Sequence, residues 1–164
     1  MLNNIIKILF MLVAFVSITT TNAASHAQQN NHVNHQITIT DPLIRSAPIN
    51  APALGLFMSI SNNTDQELRL ISADAKGYKR IELHRTIDSH GVMKMVKQAF
   101  MPILAQGELH LKPGSWHIML IGPEKVPSED EQVSVNLKFD NGSTHTIKAS
   151  VRKGRMMMKH HSMH

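Results

Sequence analysis

The chain has 164 residues, a net charge of +5, 4% aromatic residues and no cysteine. That length supports one domain with its own core. The missing cysteine excludes disulfide staples, thiol redox chemistry and any metal site built on a thiolate.

The basic charge is local. Lys148, Arg152, Lys153, Arg155 and Lys159 lie at the C-terminal end with no acid among them. Without these five and residues 1–23, basic and acidic residues nearly balance. The excess therefore belongs to a tail and not to a nucleic-acid-binding face. The scarcity of aromatics also argues against base stacking.

Residues 1–23 read as a secretory signal peptide, which predicts an exported protein. Lys7 and the amino terminus make the positive end, and residues 8–18 the apolar run. Thr21-Asn22-Ala23 or Asn22-Ala23-Ala24 offers the cleavage site. The run is shorter than the ~20 residues a spanning helix requires. With no cysteine, lipid attachment through an N-terminal Cys is excluded. Residues 24–36 are polar and without periodicity, a leader that carries His26, His32 and His35.

From Ile37 the pattern is one of short strands bounded by turn residues. Strands are predicted at 37–40, where Asp41-Pro42 interrupts, and then at 53–61, 67–73, 80–85 and 93–96. They continue at 107–111, 116–121, 133–139 and 144–151. A spacing near ten residues predicts an all-β sandwich or barrel as a single domain over 37–151. Asp140-Asn141-Gly142 signals a hairpin, and Lys112-Pro113-Gly114 a tight turn.

Between Ile81 and Leu120 stand His84, Met95, His117 and Met119, at spacing H-x10-M-x21-H-x-M. Chance would place such a pattern in roughly 0.003 chains of this composition. Two imidazoles with two thioethers form a soft donor set that selects Cu(I) over Zn, Mg or Ca. Side chains two apart on a strand share a face, so His117 and Met119 point together. Trp116, Ile118 and Leu120 point to the core. Ile81 and Leu83 face inward, which puts His84 outward. The four residues are thus expected on a rim or outer face. Met93 and Met58 are candidates for neighbours of the metal, and Met101 and His145 for ordinary packing.

These blocks resemble the periplasmic copper chaperone family PCu(A)C, over about residues 37–151. Leu56-Phe57-Met58-Ser59-Ile60-Ser61-Asn62 looks like the family's aromatic-Met strand running into an Asn. Glu82-Leu83-His84 and Gly91-Val92-Met93-Lys94-Met95 match its first ligand blocks. Leu111-Lys112-Pro113-Gly114 followed by His117-Ile118-Met119-Leu120 matches its most specific block. Trp116 departs from the family, where a smaller ring is common. The resemblance implies a cupredoxin-like β-sandwich holding one Cu(I). It also implies delivery toward the CuA centre of cytochrome c oxidase, in subunit II, with Sco-type proteins as co-workers. No catalytic triad, carboxylate pair or phosphate loop suggests an enzyme.

Two further stretches outside the domain are candidates for secondary copper binding, beside the plainer readings of a basic terminus and a solvated leader. Residues 152–164 are a basic tail carrying Met156, Met157, Met158, His160, His161, Met163 and His164. Met donors there suit Cu(I), and His donors Cu(II). Cleavage after Ala23 would leave Ala24-Ser25-His26, whose amine, two amides and imidazole make a square-planar Cu(II) chelate. Rival readings are a copper-sequestering resistance protein and a secreted β-sandwich adhesion module.

Overall fold

A computed structural model describes residues 36–153. The signal peptide, the leader before Gln36, His26 and the tail beyond Lys153 lie outside the described residues. Ten strands follow in order: β1 Ile37–Arg45, β2 Ala53–Asn62, β3 Leu68–Asp74, β4 Tyr78–Ser89 and β5 Val92–Lys97. Then come β6 Met101–Ile103, β7 Glu108–Leu111, β8 Trp116–Pro123, β9 Gln132–Phe139 and β10 Thr144–Arg152. The described residues contain no helix.

The strands form one sheet in the order β5-β4-β8-β7-β2-β1-β10-β9-β3-β6, with β8 also pairing β2. Most neighbours are antiparallel; β1–β10 and β7–β8 are parallel. The sheet curls, so that β3 packs near β4 and β6 near β2 and β7. This is the expected all-β, cupredoxin-like architecture. Alternation along each strand makes the core. Leu54, Leu56, Met58, Ile60 and Asn62 on β2 are buried while their neighbours are half-buried. Ile118 and Leu120 from β8 meet them, along with Val135, Leu137 and Phe139 from β9. Each such aliphatic side chain contributes about 1.5–3 kcal/mol by leaving water.

Asn62 is the buried polar exception, at 1% exposure. Its amide nitrogen lies 2.7, 3.1 and 3.0 Å from the carbonyls of Gln66, Ile103 and Leu104. Its oxygen accepts from the Thr64 N–H and hydroxyl. The side chain therefore ties the end of β2 to the chain beyond β6.

Two strand expectations are corrected. Asp41-Pro42 does not end β1; the register against β2 shifts between Thr40 and Leu43 and the strand continues. One extra residue, with Asp41 at φ 50°, makes a bulge that absorbs the proline. The strand β6 was not expected, because Pro102 sits at its centre. It lies at the end of the sheet, where a missing N–H costs no ladder bond.

The turns follow their residue types. His90 and Gly91 both have positive φ, 56° and 81°, and join β4 to β5 as a two-residue hairpin. Pro113 and Gly114 (φ 77°) occupy the centre of a turn closed by the Ser115 N–H on the Lys112 carbonyl at 3.1 Å. That turn launches β8.

Candidate metal centre

β8 lies between β4 and β2, and its register sets the site. His117 pairs directly with His84, and Met119 with Glu82 on one side and Gly55 on the other. On the outer side of β4, Met95 of β5 pairs with Thr86 and Lys97 with His84. Because pairing rows share a face, His84, Met95, His117 and Met119 emerge from the same side of three adjacent strands. Met95 stands one row to one side of the histidine pair, and Met119 one row to the other. Leu83 and Ile118 point from β4 and β8 into the core, where Leu56 of β2 meets them.

The two imidazole rings have centroids 5.7 Å apart, with planes at 59°. One nitrogen of each ring is held. The Nε2–H of His84 donates to Glu82 Oε2 at 2.9 Å. The Nδ1–H of His117 donates to the Ser115 carbonyl at 2.9 Å. The other two nitrogens, Nδ1 of His84 and Nε2 of His117, are buried and have no hydrogen-bond partner among the described residues. A buried, unpaired lone pair costs about 1–3 kcal/mol. Two on neighbouring strands, beside two thioethers, suit a soft metal ion that would satisfy both.

Glu82 is the electrostatic hub beside the histidines. Its Oε1 lies 3.1 Å from Arg80 Nε and 3.3 Å from Lys97 Nζ. The hydrogen bond from His84 is the main influence on its carboxyl, which drops to about 2, aided by Lys97 and Arg80 and opposed by partial burial.

The outer-rim expectation needs correcting at His117, which is only 4% exposed. β8 is an inner strand, and Phe57 of β2 covers it, its ring centroid 6.4 Å from that of His117. Gly55 makes room for the ring: a Cβ there would lie 2.8 Å from Phe57 Cζ. His84 and Met119 are half-buried, and Met95 alone is open, at 65% exposure. The site thus grades from a covered histidine to an exposed methionine on the edge strand. Trp116 lies half-buried at the margin of the core, under the Arg85 guanidinium at 5.0 Å. Met58 points into the core, on the face opposite His117. Met93 shares the face of Met95 one row further out and is exposed. Met101 is a fully buried core residue.

Glu82, Ser115, Phe57 and Gly55 were not singled out as site residues in the sequence. Glu82 was within reach: two residues before His84 on one strand, it shares that face. A backbone carbonyl such as that of Ser115 leaves no sequence signal. Among the described residues no group of three or more His, Asp or Glu is placed to hold a metal.

Fold and site together define a cupredoxin-like domain with a His/Met cluster on one face of its sheet. The chain belongs to the LpqE-like family ("Putative lipoprotein LpqE-like"), whose model matches residues 37–151. It is similar to the "Copper-bound PCuAC domain from PmoF2" in fold, with a TM-score of 0.63 and 19% identity over 73% of this chain and 94% of that one. It is also similar to "CuI-DR1885 from Deinococcus Radiodurans", with a TM-score of 0.55 and 27% identity over 73% and 78%. Among curated proteins, "Putative lipoprotein Lxx21020" of Leifsonia xyli subsp. xyli is 31% identical over 98 residues, 58% of each chain. The chain spans about half the length of the curated relatives it matches.

Proposed function

We propose that this protein is an exported Cu(I) chaperone, a carrier and not an enzyme. His84, Met95, His117 and Met119 hold one Cu(I), and the copper passes toward the CuA centre of cytochrome c oxidase in the periplasm. Sco-type proteins and oxidase subunit II are its partners. The observation that carries the reading is the pair of buried imidazole nitrogens without a partner among the described residues. The Cu(I)-bound relative from Deinococcus radiodurans supports it.

The ligand set suits delivery. Cu(I) is d10 and has no ligand-field penalty for changing geometry, so exchange between donor sets is easy. Thioethers neither titrate nor form disulfides in an oxidising compartment, though they oxidise to sulfoxides. The exposed Met95 is the side on which an acceptor can begin to replace ligands, while His117 keeps its hold. The tail residues Met156 to His164 and the His26 chelate collect further copper, as Cu(I) or Cu(II).

Anaerobic Cu(I) titration of residues 37–151 against a competing chelator tests the site. One tight equivalent is expected, with both sulfur and nitrogen scatterers in X-ray absorption. No binding, or a shell of light atoms only, would remove the assignment. A copper store is the second reading, favoured by the seven Met and His donors of the tail. It requires several equivalents of similar affinity in the whole protein.

A further inference from the structure

We infer that Glu82 and the Ser115 carbonyl dictate which nitrogen of each histidine meets the metal: Nδ1 of His84 and Nε2 of His117. Glu82 is thereby a positioning residue for copper. The inference rests on the reading of His84 and His117 as copper ligands.

A neutral imidazole has one N–H and one lone pair, and an acceptor that takes the N–H leaves the lone pair on the other nitrogen. The two histidines are held by different atoms. His84 gives its Nε2–H to Glu82 at 2.9 Å, and His117 its Nδ1–H to Ser115 at 2.9 Å. The nitrogens left over are the two buried atoms without a partner among the described residues. The assignment is thus made twice, once by what is bonded and once by what is not.

Glu82 is built for this. Arg80 and Lys97 meet its Oε1, which leaves Oε2 for His84. Between two cations the side chain is a carboxylate, an acceptor only, so the proton on that bond belongs to His84. Lys97 stands directly opposite His84 on β5, two residues from Met95. Every residue of β5 is exposed, and β4 is its one partner in the sheet. The Lys97–Glu82 pair therefore links the strand bearing Met95 to the orientation of the His84 ring. Ser115 acts from the other side. Its carbonyl accepts from both His117 and the Thr86 N–H, at 3.0 Å, so it is fixed by β4 before it fixes His117. A carboxylate or carbonyl behind a ligating imidazole sets its tautomer and raises its basicity; losing one costs about 10–100-fold in metal affinity.

The test uses the exported protein labelled with 15N-histidine and read by long-range proton–nitrogen correlation. Before copper is added, His84 should be the Nε2–H tautomer and His117 the Nδ1–H tautomer. One equivalent of Cu(I) should shift Nδ1 of His84 and Nε2 of His117. Glu82→Gln keeps the shape but offers an amide that can donate as well as accept. It should give mixed tautomers at His84 alone, an unchanged His117, and Cu(I) affinity reduced about 10–100-fold with a native amide spectrum. An Nδ1–H tautomer at His84, or a copper shift at its Nε2, overturns the inference. So does a Glu82→Gln protein with unchanged tautomer and affinity. Failure of the wild-type protein to shift either histidine with Cu(I) overturns the copper reading instead. The copper-free spectrum separates the two failures.

Discussion

Phe57 lies over Gly55, in the space that any other side chain there would fill, and its ring covers His117. An added Cβ would meet the far end of that ring at 2.8 Å, and the ring can move. Gly55→Ala is therefore expected to cost little stability, about 1 kcal/mol or less. The displaced ring should still change the surroundings of His117. The check is a thermal melt beside a Cu(I) competition titration: the melt should barely move and the Cu(I) affinity should fall.

Met119→Ala separates binding from folding in the same way. Met119 is half-buried beside the core, so truncation should cost about 1–2 kcal/mol, below the 2–5 of a fully buried methionine. Loss of one of the four proposed donors should weaken Cu(I) at least about tenfold, since loss even of a group behind a ligand costs about 10–100-fold. Equal Cu(I) affinity in the variant and the parent would remove Met119 from the ligand set.

Asn62 makes the opposite prediction. Asn62→Ala takes the amide donor from the Gln66, Ile103 and Leu104 carbonyls, the bond to Ile103 being buried, while Leu104 keeps the Gly107 N–H. A loss of about 2–4 kcal/mol in denaturant unfolding is expected. Copper stoichiometry in the folded fraction should be unchanged, since Asn62 lies at the opposite end of β2 from Gly55.

Acid unfolding of the copper-free protein should carry the mark of Glu82. The hydrogen bond from His84, with Lys97 and Arg80, lowers its carboxyl from the usual 4.5 to about 2. A carboxylate depressed by folding stabilises the folded state above its unfolded value, and that contribution fades as pH falls through 4.5 toward 2. Stability measured across this window should fall less steeply in Glu82→Gln, which has no proton to bind there.

The proposed terminal copper sites are tested by deletion. Truncation after Lys153 should remove weaker copper equivalents and leave the tight one. An unchanged copper count would make residues 154–164 merely a basic terminus. N-terminal sequencing of the exported protein locates the cleavage. If it falls after Ala23, a Cu(II) spectrum in the truncated protein should disappear in His26→Ala, and should strengthen with rising pH as amide protons leave.

Alternation along single strands was legible in the sequence. It placed Ile118 and Leu120 inside and put His117 with Met119 on one face, because a strand's two-residue period is a local property. The turns at Pro113-Gly114 and Asn141-Gly142 were legible for the same reason: positive φ favours glycine, and Gly114 and Gly142 have it. The spacing of His84, Met95, His117 and Met119 marked the candidate ligands but not their neighbours. That His84 faces His117 depends on β4 pairing β8 in one register across a long stretch of chain, and no local pattern encodes such a pairing. The bulge at Asp41-Pro42 and the edge strand β6 depend on what lies alongside them. His117 is covered only because β8 became an inner strand with Phe57 beside it, folded over a glycine two residues away. Burial is a sum over neighbours drawn from the whole chain, so the tertiary structure alone decided which histidine is covered and which nitrogens are left without a partner.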